Sequence, residues 1–368
     1  MIPITDPKGQ FIRIRDEIMK KIKEVLSSGK YILGPHVNEL ELEIARRLGV
    51  SDAITVANGT DALVLTLQAY EIGEGDEVIT TPFSFFATAE AITRVGATPV
   101  FADVDETFNI DPGQIIEKMT SATKAILPVH LFGQPAAMDE INSIAKEHHL
   151  IVIEDACQAF GAKYQGKEVG SLGNAACFSF FPTKNFSTMG DGGVIATSDT
   201  KIAERIKSLR AHGSTQKYYH HEIGYNSRLD EVHAAILLVC LQYVDSWNEK
   251  RRTLAARYLK ELQHVPFLQL PPASEHTTHV YHLFCVQSQC RKEITEYLQQ
   301  YGIQTGIYYP CCIHLQEAYK DLGYKRGDFP IAELLSERLF ALPLFPTMSF
   351  AEQDQVISAL KSFEVNGG

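Results

Sequence analysis

No stretch of this chain is apolar for 18 residues, which excludes a transmembrane helix. The opening residues, Met1-Ile2-Pro3-Ile4-Thr5-Asp6-Pro7, have neither the basic nor the apolar region of a leader, so no secretion signal is expected. Basic runs are missing and the formal net charge is -11, which argues against binding nucleic acid or an anionic membrane. The seven cysteines are odd in number and have no paired spacing, so reduced thiols in the cytoplasm are expected. Fixed-period repeats and low-complexity tracts are also missing. What remains is an ordinary globular composition, 45% hydrophobic and 21% charged over 368 residues, long enough for two domains.

Short Val/Ile/Ala-rich runs alternate with helical patterns from residue 52 to about 200. Strands are expected at 53–57, 77–80, 98–103, 125–130 and 151–155, and helices at 60–70, 87–95 and 138–148. That alternation predicts an α/β fold with a mostly parallel sheet covered on both faces. Helical spacing also marks 10–28 and 37–48, and a long stretch at 231–262, bent or broken near Trp247. Beyond it the pattern changes to a strand at 280–286, a helix at 292–301, an extended run at 303–309 and a helix at 331–339. This predicts a large domain over 1–245 and a smaller α+β domain over 246–368.

Ligands of such sheets sit at the carboxyl ends of the strands, where Asn58, Thr60, Ser84, His130, Asp155 and Gln158 fall. Lys184 lies in Phe180-Phe181-Pro182-Thr183-Lys184-Asn185, close before Gly190-Asp191-Gly192-Gly193. A desolvated lysine amine has a lowered pKa and can form a Schiff base, whereas a loop lysine is ordinarily solvated. Asp155 ends the apolar run Ile151-Val152-Ile153-Glu154 and needs a partner, either a protonated pyridine nitrogen of pyridoxal phosphate or a helix N-terminus. Gln158 either donates to a ring hydroxyl or caps locally. Asn58-Gly59-Thr60 opens a helix, as a phosphate cradle or as a plain cap. Phe85 can stack on a planar cofactor or pack in the core. Asn226 and Arg228 can contact an anion or serve a helix start, and His314, after Tyr308-Tyr309-Pro310, can reach the site or stay a loop histidine.

Three other patterns carry no chemistry. Gly161 to Lys167 has phosphate-loop spacing, but Glu168 replaces the metal-binding Ser or Thr, and a hairpin turn is expected. On a strand His279 faces away from His276 and His282, so no metal is expected there. Cys311-Cys312 lacks a second ligand pair.

Together, Gly59-Thr60-x-Ala62-Leu63, Glu154-Asp155-x-x-Gln158-x-x-Gly161-Ala162, Ser179-Phe180-Phe181-Pro182-Thr183-Lys184-Asn185, Gly190-Asp191-Gly192-Gly193 and Gly224-Tyr225-Asn226-Ser227-Arg228-Leu229-Asp230 resemble the sugar aminotransferases of the DegT/DnrJ/StrS group, in order and over nearly the whole chain. The resemblance implies an aspartate-aminotransferase-type fold, a homodimer with composite sites, and pyridoxal 5'-phosphate as cofactor, with pyridoxamine 5'-phosphate as its aminated form. It implies that Lys184 bonds the cofactor and shuttles the proton, that Asp155 pairs with the pyridine nitrogen, and that Gln158 touches the ring hydroxyl. Phe85 would stack on the ring, Gly59, Thr60 and Ser179 would hold the phosphate, and Asn226 would reach it from the other subunit. Arg228, Tyr309 and His314 would serve the substrate. Two departures are Phe186-Ser187, where Leu-Gly is common, and His233, where many relatives carry glutamine.

The implied reaction is a ping-pong transamination from L-glutamate to a nucleotide-linked keto-sugar. The Gly-Asp-Gly-Gly loop and Lys217 to His221 resemble members acting at C3 of a 6-deoxyhexose, and Gly-Glu-Gly-Gly is frequent in those acting at C4. A non-catalytic regulatory relative and a keto-sugar dehydratase are the other readings. Lys184 stands against both.

Overall fold

A computed structural model describes residues 1–272 and 276–364, so the last residues of the expected 246–368 domain lie outside the described ones. Among the described residues, seven strands build the central sheet: β1 (Asp52–Val56), β2 (Glu77–Thr80), β3 (Thr98–Phe101), β4 (Thr123–Ile126), β5 (Ile151–Asp155), β8 (Ala175–Ser179) and β9 (Gly193–Thr197). A short hairpin of β6 (Lys163–Tyr164) and β7 (Lys167–Glu168) turns at Gln165-Gly166, where the sequence places it, and β10 (Thr277–Thr278) pairs with β6. The sheet order is β1-β9-β8-β5-β4-β2-β3, with β9 antiparallel to both neighbours and the other pairs parallel.

Alternation along the strands explains the two covered faces. Ala53, Ala176, Phe178 and Val194 join one core with helices α2 (Arg15–Ser28), α3 (Pro35–Leu48) and α9 (Glu231–Leu241). Their neighbours Ile54, Cys177 and Ile195 face the opposite core, with α4 (Gly59–Ala69), α5 (Ala87–Arg94) and α8 (Thr200–Leu209). Ile79, Ile126 and Val152 pack with Ile115 of α6 (Pro112–Lys118) and Ile141 of α7 (Met138–His148).

The helix expected at 10–28 is two, α1 (Pro7–Arg13) and α2, parted at Ile14. The stretch 231–262 breaks at Gln242-Tyr243, just before Trp247. Trp247 lies inside α10 (Val244–Leu262), its ring stacked on Tyr243. A boundary between 245 and 246 falls in the first turn of α10. The strand expected at 280–286 is reduced to β11 (Phe284–Gln287), because the Val280 and His282 N–H groups bond instead to the carbonyls of Gly133 and Phe132. β11 pairs antiparallel with β12 (Leu339–Leu342), which follows α12 (Pro330–Arg338). Phe284, Val286, Phe340 and Leu342 pack against α10, α11 (Arg291–Gln300) and α13 (Phe350–Lys361) in a second core that also takes Ile2. Residues on the reverse side, Leu283, Cys285 and Ala341, pack against Phe83, Phe101 and Phe132 beside the carboxyl ends of the central strands. This contact brings the 307–309 segment to the site.

Candidate active site

A cavity of about 900 Å³ opens at the carboxyl edge of the sheet. The β1–α4 connection supplies Asn58, Gly59 and Thr60. The Asn58 side chain caps α4 by accepting the Asp61 N–H at 2.8 Å, and Gly59 and Thr60 of the first turn line the cavity. Ser179, at the end of β8, presses on this turn. A Cβ on residue 59 would lie 2.8 Å from the Ser179 Cβ and 3.0 Å from the Cys157 sulfur, so only glycine lets the two segments meet. A helix start, a glycine and a hydroxyl at one point form an anion cradle suited to a phosphate.

Asp155 ends β5 and is buried. Its Oδ2 accepts the Thr88 hydroxyl at 2.8 Å and its Oδ1 the Cys157 N–H at 3.3 Å. A carboxylate has further lone pairs, so it can also accept from a ring nitrogen in the cavity. Lys184 reaches the cavity from the loop between β8 and β9. Phe180 fixes that loop by donating its N–H to the Gly192 carbonyl and accepting the Thr188 N–H, at 2.8 and 2.9 Å. The next side chain, Asn185, donates to Asn248 at 2.8 Å and to the Val280 carbonyl at 2.9 Å. Desolvation lowers the pKa of the Lys184 amine, and the nearby Asp155 opposes the shift only in part. Burial pushes Cys157 well up, with Asp155 adding to it, so Cys157 stays a thiol. His282, also on the wall, is held well below its usual range, first by burial and then by the Lys184 and Arg251 charges.

Gln158 does not stand free. It accepts the Phe132 N–H at 2.8 Å and donates to the Tyr309 hydroxyl at 3.0 Å. Tyr309 lies between the rings of Phe83 and Phe85, at 6.2 and 6.3 Å. Phe85 is 58% exposed on the cavity wall. The departure at Phe186 is accommodated by packing: its ring lies 4.4 Å from Phe160 and 5.0 Å from Phe180. His233 sits 2.9 Å from the Thr188 hydroxyl, and its ring leaves no room for a side chain at Gly190.

The structure thus gathers Gly59, Thr60, Phe85, Asp155, Gln158, Ser179, Lys184 and Tyr309 around one cavity. It does not bring Asn226, Arg228 or His314 onto that lining. Asn226 and Arg228 bond to each other outside it, and Ser227 between them donates to Asp61 at 2.6 Å. His314 is buried against Glu333 (3.2 Å) and the Phe329 ring (4.7 Å), in a turn held by the Ile313 N–H on the Pro82 carbonyl. Its Nδ1 has no hydrogen-bond partner among the described residues. Sequence reasoning missed Thr88, Cys157, His282 and Tyr308. Of these, Thr88 carried a usable signal, its spacing of four from Ser84 at a helix start.

A half-buried lysine whose amine pKa is lowered, a buried carboxylate and an anion cradle, lining one cavity of this sheet, fit a pyridoxal-phosphate aminotransferase. The chain belongs to the DegT/DnrJ/EryC1/StrS aminotransferase family, whose sequence profile matches residues 12–361. Pyridoxal phosphate is the cofactor of that class. The chain is 47% identical over 365 residues to the pleiotropic regulatory protein of Geobacillus stearothermophilus, covering 98% of each. It is 46% identical over 364 residues, 99% of each, to the dTDP-3-amino-3,6-dideoxy-alpha-D-galactopyranose transaminase of Aneurinibacillus thermoaerophilus. Among solved structures, S. venezuelae DesV in complex with a ketimine intermediate matches with a TM-score of 0.96 at 40% identity, over 98% of this chain and 97% of that one. The structure of ntda from Bacillus subtilis with bound cofactor PMP matches with a TM-score of 0.89 at 35% identity, over 94% and 81%.

Proposed function

We propose that the chain transfers an amino group from L-glutamate to C3 of a nucleoside-diphosphate-linked 3-keto-6-deoxyhexose, as a homodimer with composite sites. The observation that carries the chemistry is that Lys184, its amine pKa lowered by desolvation, lines the same cavity as the buried Asp155. The name of the Aneurinibacillus relative supports the sugar and the carbon.

When bound, pyridoxal phosphate supplies a carbonyl for amine exchange and a ring that draws electrons from the substrate carbon. Gly59, Thr60 and Ser179 would hold its phosphate, Asp155 would pair with its ring nitrogen and Phe85 would cover one ring face. Lys184, in its neutral form, would be the base that takes the proton from the amine-bearing carbon of the donor. Tyr309 borders the sugar side, anchored by Gln158.

Asn226 and Arg228 serve the partner subunit's site in this reading. The loop that carries them also exposes Ile223 and Tyr218, 89% and 82% accessible in the single chain, an apolar surface suited to a second copy.

The test is an absorption spectrum with pyridoxal phosphate before and after L-glutamate, followed by NMR of the aminated sugar. A visible band that fades with glutamate, and an amine at C3, support the proposal. A band that persists removes glutamate as donor, and an amine at C4 moves the reaction to the neighbouring carbon. The Geobacillus relative's name favours a second reading, a regulatory protein, but retained Lys184 stands against one that lacks catalysis.

A further inference from the structure

Threonine hydroxyls inside helices commonly bond back to the carbonyl four residues earlier. Thr66 does so in this chain, on Ala62 at 2.7 Å, and Thr93 does so on Ala89 at 3.3 Å. Thr88 does not. Its hydroxyl donates to Asp155 Oδ2 at 2.8 Å. The residue four earlier is Ser84, and there the contact is to the Ser84 hydroxyl, at 2.9 Å. Thr88 has a single hydroxyl proton, and the carboxylate takes it. The remaining bond therefore runs from Ser84 to Thr88. All three groups are buried.

We infer that Ser84 and Thr88 form a directed hydroxyl relay that keeps the Asp155 side chain aimed at the ring nitrogen of the cofactor, with Thr88 as a positioning residue. A hydroxyl that donates to a carboxylate makes a stronger hydrogen bond than one that donates to a neutral acceptor. The bond also fixes which carboxylate oxygen is engaged. Oδ2 is bound to Thr88, and Oδ1, which among the described residues accepts only the longer Cys157 N–H, is left for the ring. The same turn carries Phe85 on the cavity wall, so the start of α5 places both the ring's cover and the relay.

This inference rests on the assignment of pyridoxal phosphate to the cavity. It is tested by the dissociation constant for pyridoxal phosphate and the pH titration of the bound cofactor's absorption, in the wild type and in Thr88→Val, Thr88→Ser and Ser84→Ala. The other titratable groups that face Asp155 are Lys184, Cys157, Cys177 and Tyr309, and none of these is altered in the variants. Thr88→Val keeps the shape and loses the proton. It is expected to weaken cofactor binding by about tenfold or more and to displace the absorption titration. Thr88→Ser restores the donor and is expected within about threefold of wild type, and Ser84→Ala is expected to weaken binding less than Thr88→Val. Wild-type affinity and an unmoved titration in both Thr88→Val and Ser84→Ala would overturn the relay. If Thr88→Val does not fold, Ser84→Ala alone decides by the same two readings. A wild-type protein that develops no band would overturn the cofactor assignment and the relay together.

Discussion

The Gln158 side chain joins Tyr309 to the end of the central sheet: its amide donates to the Tyr309 hydroxyl at 3.0 Å while its carbonyl accepts the Phe132 N–H at 2.8 Å. One side chain thus fixes a wall of the cavity contributed by the C-terminal part of the chain. Burial raises the Tyr309 pKa far above the usual range, so the phenol stays protonated.

Gln158→Leu strands a buried N–H and a buried hydroxyl together. Its expected cost is about 1–3 kcal/mol of unfolding free energy, and Tyr309→Phe should cost about 1 kcal/mol. The double variant should cost less than the sum, by about 1 kcal/mol, read from a double-mutant cycle of urea unfolding. Strict additivity would show that the two side chains act independently.

Lys184→Met is expected to cut turnover by more than about 10³-fold, because the proton shuttle is removed. The same change should raise the melting temperature of the cofactor-free protein near pH 7. Desolvation lowers the Lys184 pKa in the fold, so the protonated amine is disfavoured there relative to the unfolded chain, and methionine removes that cost. Calorimetry of the cofactor-free protein checks the second half.

The buried rings of His282 and His314 are both held below the usual histidine range by desolvation. They stay neutral in the fold where the unfolded chain binds protons. Stability is therefore expected to fall as pH drops below about 6.5. His282→Gln should flatten that slope by about one proton, read from urea midpoints between about pH 7.5 and 5.5. An unchanged slope would place the titration elsewhere.

Composite sites predict complementation. Lys184→Ala and Asn226→Ala protomers, each inactive alone, should regain about one quarter of wild-type activity when mixed, since half the dimers are hybrids with one intact site. A mixture that stays inactive would place both residues in the same subunit's site.

Several residues that line the cavity were legible because they obey local rules. Asn58-Gly59-Thr60 announces a helix start after a strand, and Asp155 is a carboxylate at the end of an apolar run. Three-dimensional neighbours were less legible. Gln158 lines the cavity as expected, but its partners Phe132 and Tyr309 lie 26 residues before it and 151 after it, beyond what local sequence records. His314 follows Tyr309 closely in sequence, yet the turn at Ile313 directs it into a core with Phe329. The break at Gln242-Tyr243 is marked by neither glycine nor proline, so the sequence placed it only approximately, near Trp247. The shortened strand at 284–287 reflects backbone bonds from Val280 and His282 to the 132–133 turn, which no pattern in 280–286 records.

The most direct test of the central claim is to follow isotope-labelled nitrogen from L-glutamate into a nucleoside-diphosphate 3-keto-6-deoxyhexose, with pyridoxal phosphate present, by mass spectrometry. Labelled amino sugar formed by the wild type, and none by Lys184→Ala, is the predicted result. A sugar that gains no nitrogen while the cofactor is bound, or labelling that survives loss of Lys184, would contradict the account.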